Sequence, residues 1–158
     1  MTKPLAVITG ASSGIGEATA KAFSNAGYPT LLEARRIEIM ESFNLKNSIC
    51  KKIDVRDRDA LVSAIREAEK QYGPTDMMFN NAGVARLADI STQDPSEWDE
   101  MIDVNTKGVM NGIYAVMKDM KARKSGTIVN MSSIAGRKVY GDHTVYCCLL
   151  YTSPSPRD

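Results

Sequence analysis

The sequence predicts an α/β protein built as a doubly wound, three-layer parallel sheet with helices on both faces. Three observations predict it. Short apolar runs alternate with amphipathic stretches in regular order, the apolar runs are continuous rather than alternating, and a glycine-rich turn follows the first of them. Parallel neighbours need right-handed crossovers, which a helix between two strands supplies. Continuous apolar strands belong to sheets buried on both sides.

Strands are expected from Leu5 to Thr9, Thr30 to Leu32, Cys50 to Val55, Met77 to Phe79 and Thr127 to Met131. After the first, Ile15, Ala18, Thr19, Ala22, Phe23 and Ala26 recur at helical spacing, and Gly27 stands where a left-handed cap belongs. A second helix is expected over residues 57–72. There Asp57 caps the first turn, Leu61, Ala64, Ile65 and Ala68 form one apolar face, and Gly73-Pro74 ends the helix. A third is expected over residues 105–122, with Val109, Ile113, Val116, Met117 and Met120 inward. A shorter helix spans Ile37 to Phe43.

Composition narrows the function. With 158 residues, 43% of them hydrophobic and 25% charged, the chain has the material for one globular domain. A net charge of +1 draws it to neither nucleic acid nor a membrane surface, so a small-molecule partner is expected. Cys50, Cys147 and Cys148 are odd in number and form no CxxC pair, which argues against a disulfide framework and against a metal site. A cytoplasmic location is expected. The apolar run after Lys3 is too short for a signal peptide, and no apolar run is long enough to span a membrane.

The turn after the first strand reads Thr9-Gly10-Ala11-Ser12-Ser13-Gly14-Ile15-Gly16 and opens a helix. Glycines let a ligand approach the backbone, and the free N–H groups of a helix start attract a pyrophosphate. The G-x-x-x-G-x-G spacing differs from the G-x-G-x-x-G of many dinucleotide folds. This octet resembles the TGxxxGIG turn of the short-chain dehydrogenase/reductase family. The resemblance extends over nearly all of residues 4–146 and implies a Rossmann-type sheet, here lacking the last strands.

It also implies a cofactor, NADP or alternatively NAD. Gly10, Ser12, Ser13, Gly14, Ile15 and Gly16 would cradle its phosphates. At the end of strand two, Ala34 followed by Arg35 and Arg36 looks like the NADP-preferring members, because arginine matches a 2′-phosphate. Glu33 is the competing reading: facing the ribose, its carboxylate would favour NAD. Asp54 and Val55, expected to close strand three, match the family's adenine contacts. Asn81, Ala82 and Gly83 belong to an NNAG motif after strand four, and Asn105 matches the asparagine that holds a relay water, unless it is simply a helix cap.

Ser133 and Tyr146 stand thirteen residues apart, the family's spacing for a substrate-oxygen donor and a proton-transferring tyrosine. Ser132 and Tyr140 are the spare candidates, and His143 is given no role. The resemblance thus implies hydride transfer between a secondary alcohol and a ketone, with 3-hydroxy acid or serine dehydrogenases as the nearest type and a homo-oligomeric parent.

The sequence departs from the family after Tyr146. Four residues on, where the family has a lysine that binds the nicotinamide ribose and lowers the tyrosine pKa, stands Leu150. Residues 1–146 are therefore expected to be the incomplete dinucleotide domain and residues 147–158 a non-matching, foreign tail, leaving this copy inactive and strand five an exposed edge. A non-catalytic dinucleotide-binding remnant is the alternative. A Rossmann-like methyltransferase is disfavoured by Arg35 and Arg36, since such sites usually place an acid there.

Overall fold

The computed structural model describes residues 3–151. Five parallel strands form one sheet: β1 (Leu5–Thr9), β2 (Thr30–Ala34), β3 (Ser48–Lys52), β4 (Thr75–Asn80) and β5 (Thr127–Asn130). Their spatial order is β3-β2-β1-β4-β5, so the chain winds outward in one direction from β1 and then crosses back to β4. That reversal opens a crevice at the carboxyl ends of β1 and β4, where ligands of such sheets bind.

Each strand feeds both faces because successive side chains alternate. Leu5 and Val7 of β1, Leu31 of β2 and Met78 of β4 pack against the helices α3 (Arg58–Tyr72) and α5 (Val109–Arg123). Ile8, Leu32 and Phe79 point the other way, onto α1 (Gly14–Asn25) and α2 (Ile37–Ser42). The three layers expected from the sequence are therefore present.

Strand β1 has its expected bounds, and β5 stops one residue short of Met131. Two strands run longer than their apolar cores suggest: β2 continues through Glu33 and Ala34, and β4 takes in Thr75, Asp76 and Asn80. β3 is displaced, starting two residues before Cys50. It ends at Lys52, so Asp54 and Val55 do not close the strand but lie beyond it, in a turn where the Asp57 N–H reaches the Asp54 carbonyl at 2.9 Å. Ile53 and Val55 are buried beyond the end of the strand, and the Ile53 N–H still donates to the Ala34 carbonyl at 3.1 Å.

Helix α3 matches its expected cap and face. The Asp57 carboxylate accepts from the Ala60 N–H, and Leu61, Ala64, Ile65 and Ala68 are buried. The apolar face expected for α1 needs correction. Gly16 and Ala20 touch the sheet, whereas Ile15, Ala18, Ala22 and Ala26 are exposed. Small residues are what let that helix lie close to the strands. Gly27, at φ +80, takes the left-handed position past the helix end.

A helix absent from the expectation, α4 (Pro95–Ile102), precedes α5. Asp94 caps it by accepting from the Ser96 N–H at 2.8 Å, and Pro95 opens its first turn. Between α4 and α5 lies a π-helical turn, Asp103–Gly108, so the helical path is continuous through Asn105, which is no cap. Wide turns of this kind collect at functional sites. The face of α5 is also rotated from the expected one: Asn111, Gly112, Ala115, Val116 and Met120 are buried, while Met117 is exposed.

Strand β5 pairs only with β4 among the described residues. A last helix, α6 (Thr144–Tyr151), carries Tyr146 and runs across the boundary expected there, with Cys147 buried. Residues 152–158, most of the tail expected to be foreign, lie outside the described residues.

Candidate functional site: a cleft at the carboxyl ends of the strands

The crevice is held open by a polar clamp between the first turn and the loop after β4. The Thr9 hydroxyl donates to the Phe79 carbonyl at 3.4 Å and accepts from the N–H groups of Asn81 and Ala82, both at 3.1 Å. The Asn81 amide returns to the turn, donating to the carbonyls of Thr9 at 3.0 Å and Gly10 at 3.3 Å. A buried threonine with a spent hydroxyl and an asparagine spanning two strands fix the spacing between β1 and β4.

Two glycines of the turn are required by this closeness. A Cβ on Gly10, whose φ is +65, would lie 2.7 Å from Ala82 Cα, and one on Gly16 would lie 2.3 Å from the Gly10 carbonyl oxygen. Gly14 differs. Its φ of +57 also favours glycine, yet a Cβ there would meet nothing within 4 Å. The turn is thus packed on its inner side and open on its outer side.

Ser13 occupies the N-cap of α1 but makes no side-chain cap. Its hydroxyl instead accepts from the Arg36 guanidinium at 3.1 Å, and the Ser12 hydroxyl accepts from the same nitrogen at 3.2 Å. The first N–H groups of a helix have no intrahelical partner, so this turn offers backbone donors, two hydroxyls and a guanidinium together. Arg35 turns away, towards Glu100 at 3.7 Å.

These groups border a cleft of about 650 Å³. Of the residues expected to form a site, Gly10, Ser12, Ser13, Ile15, Arg35, Arg36, Asp54, Val55, Asn81, Ala82, Gly83, Asn105 and Tyr146 line it. Gly14 and Gly16 shape the turn without lining the cleft. Ser133 is also outside the lining. Its hydroxyl accepts from the Ala135 N–H at 3.2 Å, capping the short 3-10 turn Ile134–Gly136, while Ser132 faces the cleft. Tyr140 is not in the lining, and His143 lies between it and Tyr146, with ring centres 5.6 and 6.5 Å away and the rings tilted.

Asn105 acts as a staple. Its side-chain oxygen accepts from the Val84 N–H at 2.8 Å and its nitrogen donates to the Val84 carbonyl at 2.7 Å, which ties the π-helical turn to the loop after β4. At the other end of the cleft, both Asp54 oxygens accept from Arg56, at 2.9 and 2.6 Å, and the side-chain hydrogen bonds with Arg56 hold its carboxyl below the usual range.

Sequence reasoning missed the residues that support this wall. Asn111 of α5 donates to the Val55 carbonyl at 2.8 Å and accepts from Arg58 at 2.9 Å. Gly108 lets Val55 sit directly on the helix, where a Cβ would meet Val55 Cγ2 at 2.6 Å. The available signal was the pair Gly108 and Gly112 one turn apart, poor helix formers that mark close packing. Replacing Asn111 by Leu is expected to cost about 1–3 kcal/mol, because a backbone carbonyl and a guanidinium lose their partner. Denaturant unfolding of the variant checks this.

Glu33 is the unusual member of the cleft. It is 1% exposed, and neither carboxyl oxygen has a hydrogen-bond partner among the described residues. Burial pushes its pKa up to about 8, as expected when a charge would have to leave water uncompensated.

The fold and this clamped cleft define a Rossmann-type α/β protein. The short chain dehydrogenase family matches residues 4–148, and the chain belongs to that family. It is 42% identical over 149 residues to an uncharacterised oxidoreductase of Staphylococcus saprophyticus, covering 92% of this chain and 61% of that one. It is 38% identical over 136 residues to acetoacetyl-CoA reductase of Paracoccus denitrificans, covering 85% and 56%. Among solved structures, the closed form of serine dehydrogenase complexed with NADP+ superposes with a TM-score of 0.88 at 28% identity, covering 93% of this chain and 61% of that one. The chain spans about three-fifths of the length of the curated relatives it matches. No helix among the described residues is long and apolar enough to cross a membrane.

Proposed function

We propose that the cleft binds NADP(H) and serves an oxidoreductase that interconverts a secondary alcohol and a ketone. The observation that carries the cofactor choice is Arg36, whose guanidinium rests on the hydroxyls of Ser12 and Ser13 at the phosphate turn. A guanidinium and two hydroxyls make a fitting site for a 2′-phosphate. The start of α1, which borders the cleft through Ser13 and Ile15, offers its backbone N–H groups to the pyrophosphate. NADP in the serine dehydrogenase complex is consistent with this assignment.

When bound, the dinucleotide supplies the hydride. The chain's own part is to orient and to move a proton. Tyr146 lines the cleft and would exchange the proton with the substrate oxygen, Ser133 would hydrogen-bond that oxygen once its hydroxyl leaves Ala135, and Asn105 would steady the wall behind them. On this reading residues 1–146 hold the dinucleotide domain. The parent enzyme acts on a small carbonyl or alcohol, as an oligomer in the cytoplasm.

A second reading has one observation in its favour. Leu150 lies in the same cleft wall as Tyr146, one helical turn on, and brings an apolar side chain where a cation would stabilise a phenolate. The 158-residue chain would then bind the dinucleotide without turning it over. Binding and turnover therefore need separate measurement. NADPH is expected to bind more tightly than NADH, and Arg36→Ala to reduce that preference by roughly tenfold, the worth of one charge-assisted contact. Equal affinity for both dinucleotides in the unaltered chain would remove the NADP reading.

A further inference from the structure

The cleft is divided by charge. The acids and arginines that line it, Glu33, Arg35, Arg36 and Asp54, come from the ends of β2 and β3, whereas the lining beside Tyr146 comes from the chain after β4 and after β5. The strand order puts these two groups on opposite sides of β1. At the Tyr146 end the lining is Val84, Ala85, Met131, Ser132 and Leu150. Two asparagines also reach the cleft, but their amides are spent, Asn81 on the Thr9 and Gly10 carbonyls and Asn105 on Val84.

The cations nearest this end are directed elsewhere. Arg86 follows Ala85 and is fixed towards α4. Its N–H donates to the Met101 sulfur at 3.4 Å, its carbonyl accepts from the Gln93 amide at 2.8 Å, and its guanidinium donates to Glu100 at 2.8 Å. Gln93 is held in turn by the Trp98 indole N–H at 2.9 Å. Lys138 lies over the Tyr140 ring and Arg137 is exposed, and neither lines the cleft. What the surrounding loops present is apolar. The Ala88 N–H donates to the Asp142 carbonyl at 3.1 Å, tying the loop after β4 to the segment before α6, with Leu87 and Ile90 exposed nearby along the chain. Exposed Ile134 opens the turn whose Gly136 abuts α6, where a Cβ would meet Leu150 Cβ at 3.2 Å.

We propose that the substrate is an uncharged ketone or secondary alcohol with an apolar arm, whose oxygen meets Tyr146 while the arm lies against Val84, Ala85 and Met131. The inference rests on the oxidoreductase reading given above and narrows its substrate. It departs from the hydroxy-acid type that the family resemblance implies. A carboxylate at this end would leave water with no cation in the described lining to replace it. Each methylene of an apolar arm buried there gains about fourfold in affinity instead.

The test is saturation-transfer NMR on the 158-residue chain loaded with NADP+, with two methyl ketones as probes: 4-phenyl-2-butanone, whose arm is apolar, and levulinate, whose arm ends in a carboxylate. The phenyl ketone is expected to bind at least about tenfold more tightly. Ala85→Lys sets a cation at an exposed position of the lining, so levulinate should gain roughly tenfold and the preference should shrink. Levulinate binding as tightly as the phenyl ketone in the unaltered chain overturns the proposal. A preference that Ala85→Lys leaves unchanged places the ketone outside this end of the cleft and overturns it too. If neither probe binds a chain that does hold NADP+, the substrate class is wrong while the cofactor reading stands. If NADP+ itself does not bind, that reading falls and this inference with it.

Discussion

Gly16→Ala is expected to collapse the phosphate turn. A single added methyl would stand 2.3 Å from the Gly10 carbonyl oxygen and 2.5 Å from the Asn81 amide nitrogen. The first is backbone, and the second is the arm of the clamp that joins β1 to the loop after β4. Neither can yield without moving the turn. Overpacking of this kind costs about 3 kcal/mol, at the upper end of its usual range, because backbone rather than a flexible side chain is struck. For a chain of this size that corresponds to a fall in Tm of roughly 6–12 °C. NADPH affinity should fall by at least about tenfold, since the turn no longer presents its N–H groups in register. Gly14→Ala is the control. It meets no atom, so it should cost only about 1 kcal/mol for the left-handed backbone. Thermal melts and NADPH titration of both variants check the contrast.

The second large effect concerns Glu33 and the stability of the fold itself. A carboxyl with a pKa near 8 in the folded chain, against an ordinary 4.5, binds a proton in the native state that the unfolded state has released. The contribution of Glu33 is therefore full below about pH 4.5 and is lost as pH rises through about 8, by about 1.4 kcal/mol per pH unit within that window. Across it the loss reaches roughly 5 kcal/mol, a large share of the 5–15 kcal/mol that typically holds a domain together. Glu33→Met, which keeps the volume and removes the charge, should flatten this dependence and raise stability most at alkaline pH. Urea unfolding of both chains at a series of pH values between about 5 and 9 measures it. Parallel curves would show that Glu33 does not titrate as its burial implies.

Much of the architecture was legible because it rests on local pattern. Five apolar runs, the glycine turn and the capped helix after Asp57 each carried their own signal, and α3 buried its expected side chains. The errors fall where packing overrides pattern. In α1, the apolar stripe from Ile15 to Ala26 predicts the inner face, but Gly16 and Ala20 are buried because only small residues permit such close contact with β1 and β2. In α5, Gly112 sits against Asn80, where a Cβ would come within 1.9 Å of the side-chain oxygen, so the helix turns its glycine inward and leaves Met117 outside. Helix α4 carries a capping signal in Asp94-Pro95 and in Glu97 of its first turn, but too few apolar residues follow to give it a helical period.

The cleft was legible in its order along the chain more than in its contacts. Most of the expected residues do line it, although the sequence could not show that Arg36 and Ser13 would meet, nor that Asn105 would spend its amide on Val84. Ser133 illustrates the limit. Spacing from Tyr146 singles it out, yet its neighbour Ser132 is the one facing the cleft. A three-residue turn, Ile134–Gly136, decides which hydroxyl points inward, and such turns leave little trace in sequence. The burial of Glu33 was equally hidden, since it depends on β2 running two residues past its apolar core.

The central claim is that this cleft holds a 2′-phosphorylated dinucleotide by its turn and by Arg36. Phosphorus NMR of NADP+ titrated with the 158-residue chain tests it most directly, because pyrophosphate and 2′-phosphate give separate resonances. The account predicts that both shift or broaden together, and that Arg36→Ala releases the 2′-phosphate signal while the pyrophosphate signal still responds. A 2′-phosphate resonance untouched by the unaltered chain would contradict it.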